Sequence, residues 1–286
     1  MKNFVFIALI SLLSPFCFSQ SVYYVSADNG LFARIAPNQG AKSLAKLNYG
    51  TKVEILENTN LNLDVLDAGE KKTGQWVKVK AYVQYEDIEA YVFNAYLTEK
   101  KLETRSIVPF EKFNAVIHAL ELWESEHGNR SILKDTAQYY VELGETPENK
   151  MISIKPLKHY KKIEVYQSFQ TSLTIMNEGS HCDLLDWAHY DSPWTPLEST
   201  AKNTFKTLTY SPEDWNRFVN VDMAKLKQAV KDKCGEDYAK LVSKIRSVND
   251  YPAGVSISII HLKIVMTDLD NNRIEKIISF EIPMGC

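Results

Sequence analysis

The densest group of residues that could carry chemistry lies between positions 181 and 191. It supplies imidazole, thiol and carboxylate groups, which are the ligand types that bind zinc in proteins. These residues are His181, Cys182, Asp183, Asp186, His189 and Asp191. The spacing matches no zinc motif, so we assign no metal and expect no cofactor. The other interpretations are a loop that carries a disulfide, and a partner-binding surface. The residues of that candidate surface are His181, Asp183, Asp186, Trp187 and His189.

A thiol and histidines are also the reacting groups of a Cys–His hydrolase. Cys182 is the candidate nucleophile, and His189 or His261 is the candidate base. His261, however, lies in an alternating pattern typical of a strand, where it would be a cross-strand neighbour. The chain contains no phosphate-binding glycine-rich loop, no G-x-S-x-G motif and no dinucleotide-binding motif. We therefore assign no catalytic residue.

The N-terminus is typical of a secretory signal peptide. Lys2 precedes an apolar run at positions 4–13, which is too short for a bilayer core because spanning one needs about 20 residues. Small residues at Cys17 and Ser19 predict cleavage after Ser19. A lipoprotein signal is disfavoured because the bulky Phe16 precedes Cys17. We expect an exported bacterial protein, periplasmic or extracellular.

The remaining cysteines predict one disulfide, because oxidising compartments preserve such bonds. They are Cys182, Cys234 and Cys286. We favour Cys182–Cys286, since the last residue follows an apolar terminal strand and chain ends fray unless they are tied down. Cys234 ends a helical pattern that already anchors it, and it therefore needs a bridge least. The pairing Cys182–Cys234 is the alternative.

The composition is that of an ordinary globular protein, with 45% hydrophobic and 24% charged residues. The formal net charge of −3 offers no basic footprint for a nucleic acid or an anionic membrane. After the leader, no apolar stretch reaches the roughly 18 residues that indicate a transmembrane helix. We therefore expect neither a nucleic-acid partner nor a transmembrane segment.

Between residues 22 and 98, short apolar runs alternate with turn residues and show no helical periodicity. The sequence Asp28-Asn29-Gly30 is one such turn signal. Five or so short strands of this kind predict a small β-barrel.

The same region resembles the bacterial SH3 (SH3b) family. Residues 31–37 resemble its L-N-V-R-x-G-P opening, and residues 50–56 match G-x-x-V-x-V-L. Residues 74–79 resemble G-W-x-K-V, and residues 89–97 resemble the closing G-x-x-G-W-V-x-x-x-Y-L. The resemblance implies an SH3-like barrel that binds without catalysis, often to peptidoglycan or cell-wall peptides and sometimes to protein.

The chain departs from the family pattern at two insertions, near residues 58–73 and 81–87, which we interpret as loops or hairpin extensions. Surface insertions cost little and often carry specificity. Aromatic side chains suit binding grooves because they offer flat amphipathic area. The candidate binding residues of this region are Tyr24, Arg34, Trp76, Tyr82, Tyr91 and Tyr96.

Residues 99–106 are charged and predict a linker to an α+β domain over residues 107–286 of unknown family. A helix is expected from Pro109, because Phe113, Ile117 and Leu120 recur at three- and four-residue steps. Further helices are expected after Ser211 and around residues 223–234. A terminal hairpin is expected around residues 270–272.

These patterns together predict an exported envelope protein with an SH3b-like unit that binds cell-wall peptide or a protein partner. The alternative is a cell-envelope enzyme, similar to a peptidoglycan hydrolase, that its SH3b-like unit targets to the wall.

Overall fold

Strands dominate the structure, a computed structural model that describes residues 22–67, 69–83, 86–124 and 135–284. Strands make up 53% and helices 11% of these residues. The predicted signal peptide and Cys286 lie outside them. No helix in the described part is both long and apolar enough to cross a bilayer.

The described chain divides into two compact units. The first consists of residues 22–47 and 51–101, and the second of residues 48–50 and 102–284. The second unit therefore begins within the segment that we predicted as a linker, and its first strand starts at Arg105.

The first unit is one curled antiparallel sheet. Its strands are β1 (Val22–Val25), β2 (Leu31–Arg34), β3 (Ser43–Leu47), β4 (Lys52–Asp67), β5 (Glu70–Val83), β6 (Glu86–Phe93) and β7 (Leu97–Thr98). They pair in the order β3-β2-β6-β5-β4-β1-β7, and a 3-10 turn, Asn94–Tyr96, follows β6. The insertion near residues 58–73 is a hairpin extension, since β4 and β5 continue as a pair to Asp67 and Glu70.

The second unit contains two sheets. Its strands are β8 (Arg105–Pro109), β9 (Phe113–His118), β10 (Leu122–Glu124), β11 (Thr136–Val141), β12 (Met151–Pro156), β13 (Tyr160–Ile175), β14 (Cys182–Leu184), β15 (Tyr190–Asp191), β16 (Thr195–Pro196), β17 (Ser199–Ala201), β18 (Thr204–Lys206), β19 (Ala253–Asp268) and β20 (Arg273–Glu281). One sheet has the order β10-β11-β20-β19-β13-β14, with β15 and β16 also on β13, and the other has the order β17-β18-β12-β9-β8. Buried side chains of both sheets form one cluster, which includes Ile117, Ile152, Ile260 and Phe280.

The helix predicted from Pro109 is wrong, and the α+β description of this unit is not confirmed. Residues 105–118 form the hairpin β8–β9. The alternate residues Phe113, Ala115 and Ile117 are all buried, as the two-residue period of a strand requires, and Val116 is buried as well. In a short apolar run, that period coincides at Phe113 and Ile117 with the four-residue step of a helix, so periodicity alone does not separate the two.

The helices of the second unit lie where the later patterns predict them. They are α1 (Pro212–Trp215), α2 (Met223–Cys234) and α3 (Glu236–Leu241). Ser211 caps α1, because its hydroxyl accepts the Asp214 amide at 3.2 Å. The terminal hairpin β19–β20 is also confirmed, with Asp268 Oδ1 accepting the amides of Asp270 and Asn272 in its turn.

The favoured disulfide Cys182–Cys286 is wrong, because Cys182 is bonded to Cys234 with their Cα atoms 5.9 Å apart. Leu226 and Val230 of α2 pack with Leu184 in one buried cluster. This packing of α2 anchors Cys234, as predicted from the helical pattern. It also brings the end of α2 to β14, where the disulfide forms.

Candidate functional site

A groove of about 610 Å³ lies on the first unit. Its described lining consists of Ser26, Ala27, Asp28, Asn29, Gly30, Leu31, Phe32, Arg34, Gln39, Leu63, Val65, Asp67, Lys72, Trp76, Phe93, Ala95 and Tyr96. Its size is that of a small-ligand or short-peptide site.

The floor of the groove is apolar and rigidly held. Leu31, Trp76 and Phe93 belong to three strands, and each is less than a tenth exposed. Residue 76 pairs with residue 93 across β5 and β6, which places the two rings side by side on the sheet. The floor therefore offers a fixed hydrophobic surface.

The first wall is the turn between β1 and β2. The Gly30 amide donates to the Ala27 carbonyl at 2.9 Å, which closes the predicted Asp28-Asn29-Gly30 turn. Gly30 has φ +78°, and a Cβ there would lie 2.8 Å from the Leu47 carbonyl oxygen. Only glycine fits that position without strain.

The second wall is an inserted ribbon, which we define as residues 58–67 of β4 together with residues 70–75 of β5. Strand alternation puts Leu63 and Val65 on the face that lines the groove, together with Lys72 of β5. Leu66 points to the opposite face and is 76% exposed. The inner face is therefore half-buried and partly apolar, although it belongs to an insertion.

The outer face of the ribbon is occupied by its own polar pairs. Asp64 accepts a hydrogen bond from Thr73 at 2.7 Å and forms an ion pair with Lys71 at 2.8 Å. These hydrogen bonds hold the pKa of Asp64 below its ordinary value. Gln75 Nε2 donates to Asn62 Oδ1 at 3.0 Å.

The ribbon is fastened to the 3-10 turn by two hydrogen bonds. The Tyr96 hydroxyl donates to Asp67 Oδ2 at 2.6 Å, and the Gln75 amide donates to Asn94 Oδ1 at 2.7 Å. Burial, followed by the bond to Asp67, raises the pKa of Tyr96 to about 12. Gly74 permits this close approach, since a Cβ there would lie 2.5 Å from Asn94 Oδ1.

Two cations flank the exposed ring of Phe32 at the rim. The Arg34 guanidinium carbon is 5.3 Å from the ring centroid, and Lys46 Nζ is 5.8 Å from it. Arg34 Nη1 also donates to the Ala41 carbonyl at 2.6 Å. The arginine is thus positioned by the backbone, and its charge lies beside an aromatic surface.

Three of the candidate binding residues line the groove, namely Arg34, Trp76 and Tyr96. The other three do not. Tyr24 pairs with Lys52 on β4, Tyr91 pairs with Arg34 and Lys78, and Tyr82 is 53% exposed opposite Asp87. Sequence reasoning missed Phe32, Leu63 and Val65. The turn at Gly30 was a usable signal for Phe32, but nothing in the sequence indicated that the insertion folds back over the barrel strands.

The residues of the second unit that we singled out have different contacts in the structure. His189 Nε2 lies 3.3 Å from Asp191 Oδ2, while Asp183 accepts the Thr174 hydroxyl at 2.5 Å. Trp187 packs against the core cluster beside α2, and Asp186 is exposed. His181 Nδ1 is buried, and the described part of the chain offers it no hydrogen-bond partner. Among the described residues, no group of three or more His, Cys, Asp or Glu side chains could hold a metal.

Cys182 has no free thiol for the nucleophilic role considered above, because its sulfur is bonded to Cys234. His261 is a cross-strand neighbour of Ser168 and Ser279, and its Nδ1 lies 2.8 Å from the Ser279 hydroxyl. Burial lowers the pKa of His261. The imidazole is a structural partner within the sheet.

Comparisons with known proteins relate one region of the first unit to a family. A search of curated proteins finds no match to the chain. The region after residue 98 matches no family model. Residues 29–98 match the family model described as the bacterial SH3 domain, so this part of the chain is similar to bacterial SH3 domains.

Proposed function

We propose that this chain is an exported protein of the bacterial cell envelope whose SH3 domain binds cell-wall peptide. The observation that carries the proposal is the groove, which brings Arg34, Trp76 and Tyr96 together on one surface. The family resemblance supports a non-catalytic binding module, often for peptidoglycan peptides.

The chemistry of the groove favours a peptide over a bare glycan or an anion. Its floor is apolar, while its rim carries both signs of charge, with Asp28 and Asp67 as well as Arg34 and Lys72. An extended peptide presents apolar side chains together with ammonium and carboxylate groups, so it can meet both parts. Such a combination of apolar surface with a few polar groups is usual for ligand sites.

The proposed location is supported by the sequence of residues 1–19, which has the pattern of a cleaved signal peptide. A disulfide between Cys182 and Cys234 suits an oxidising compartment. Cys182, the candidate nucleophile of the enzyme alternative, is one half of that bond, which favours the binding function.

The test is co-sedimentation of the full chain with purified peptidoglycan sacculi and with glycan strands stripped of their peptides. We expect binding to intact sacculi only. Replacing Phe32 by Ala should weaken binding about tenfold, since the ring is 48% exposed at the rim and offers contact area to a ligand.

Tyr82→Ala is the matched control, because Tyr82 is 53% exposed on the same domain but does not line the groove. Equal binding to stripped glycan strands, or equal losses in both variants, would contradict the proposal. Soluble muropeptides released in the same sample would favour the enzyme alternative instead.

A further inference from the structure

The inserted ribbon presents an apolar face to the groove although it lies outside the family pattern. Leu63 and Val65 are two residues apart on β4, so they project to the same side of the ribbon. Both are half-buried and both line the groove. The floor of the groove, with Trp76 and Phe93, is apolar as well.

The ribbon is held in a defined position. Its tip is bound through Asp67 to Tyr96, and its base through the Gln75 amide to Asn94. At the start of the ribbon, the Thr59 hydroxyl donates to the Trp76 carbonyl at 2.7 Å. A wall that is fixed at three points can form a subsite of constant width, which reduces the ordering cost of binding.

The two faces of the ribbon differ in the side chains that they can offer to a ligand. On the outer face, Asp64 is satisfied by Thr73 and Lys71, and Asn62 by Gln75. On the inner face, Leu63 and Val65 are apolar and still partly exposed to the groove. Contact with a ligand would remove that remaining apolar surface from water.

We propose that Leu63 and Val65 form an apolar subsite that takes one apolar side chain of an extended peptide lying in the groove. The inference rests on the proposed peptide-binding function and adds the ligand-contacting residues of the insertion. The peptide's backbone would lie between the Gly30 turn and the ribbon, with its apolar side chain between the ribbon and the floor.

The test is calorimetric titration of the full chain with soluble peptide-bearing fragments released from peptidoglycan. We expect Leu63→Ser to weaken binding about tenfold or more, because a leucine contact of this kind is removed. Leu66→Ser makes the same chemical change on the outer face and should bind within about twofold of the wild type. Circular dichroism of each variant establishes that it is folded.

Val65→Thr gives a second arm, since threonine keeps the β-branched shape and the strand propensity while placing a hydroxyl in the subsite. It should weaken binding several-fold. The inference is overturned if Leu63→Ser and Val65→Thr both bind like the wild type while Phe32→Ala loses binding, and the peptide-binding function then stands. Absence of binding by the wild-type chain overturns both.

Discussion

The hydrogen bond of the Tyr96 hydroxyl to Asp67 joins the insertion to the 3-10 turn, and the ionisation of Tyr96 can be followed directly. Folding raises the pKa of this phenol to about 12, from a value near 10 in an unfolded chain. The associated stability is complete below about pH 10 and is lost as the pH rises through about 12. We predict that the alkaline tyrosinate absorbance titration of Tyr96→Phe lacks one group with a pKa of about 12.

Asp67→Asn provides the control for that assignment. Without the carboxylate acceptor, the pKa of Tyr96 should fall part of the way towards 10, while the contribution of burial remains. A wild-type titration in which the group missing from Tyr96→Phe has a pKa near 10 would contradict both the burial of Tyr96 and its hydrogen bond to Asp67.

Gly74 is the residue on which the close packing of the ribbon depends most. An alanine there would place its Cβ 2.5 Å from Asn94 Oδ1 and 2.9 Å from Phe93 Cε2. We predict that Gly74→Ala lowers the free energy of unfolding by roughly 1–3 kcal/mol, as overpacking does. Gly179→Ala meets nothing within 4 Å and should change it by less than about 0.5 kcal/mol. Urea unfolding measures both, and equal values would argue against the packed position of the ribbon.

At the scale of elements, the disulfide ties α2 to the edge strand β14. The cysteines are separated by 52 residues, for which the loop-entropy model gives about 4 kcal/mol. We predict that the double substitution Cys182→Ser and Cys234→Ser lowers the free energy of unfolding of the second unit by up to about 4 kcal/mol, measured by urea unfolding. Peptide mapping without reduction should yield a Cys182–Cys234 peptide, and a peptide that links Cys182 to Cys286 would contradict the structure.

The elements that sequence predicts well are those with local signals. The Ser211 cap, the apolar stripe of α2 and the Asp268–Asn272 turn each depend on residues close in the chain, and each is confirmed. The hairpin β8–β9 was missed because its strands are short and their apolar spacing also fits a helix. One disulfide is predicted, but its observed pairing is only the alternative, because that pairing depends on how α2 packs on a sheet edge, which no local pattern contains.

In the groove too, some parts could be predicted from the sequence and others could not. Part of its lining could be predicted, since Trp76 and Tyr96 belong to motifs that the family pattern places in order. Its second wall could not, because Leu63 and Val65 belong to an insertion without a family template. The contacts of Asp67 with Tyr96 and of Asn94 with Gln75 hold that insertion beside the floor.

For the whole molecule, the proposed export would determine where the SH3-like unit can meet a ligand. We predict that the mature protein begins at Gln20 and carries no lipid, because Phe16 disfavours a lipoprotein signal. Intact-mass and N-terminal analysis of protein recovered from the producing bacterium measures this. A diacylglyceryl group on Cys17 would contradict the prediction and would attach the protein to a membrane.

We propose that a cell-wall peptide binds in the groove of the first unit, so ligand binding should perturb the residues that line it. The most direct test is an amide and indole NMR titration of the mature full chain with soluble peptide-bearing fragments of peptidoglycan. We predict saturable shifts at the Trp76 indole and at the amides of Gly30, Phe32, Leu63 and Val65. Shifts confined to residues 102–284, or no shifts at saturating ligand, would contradict the account.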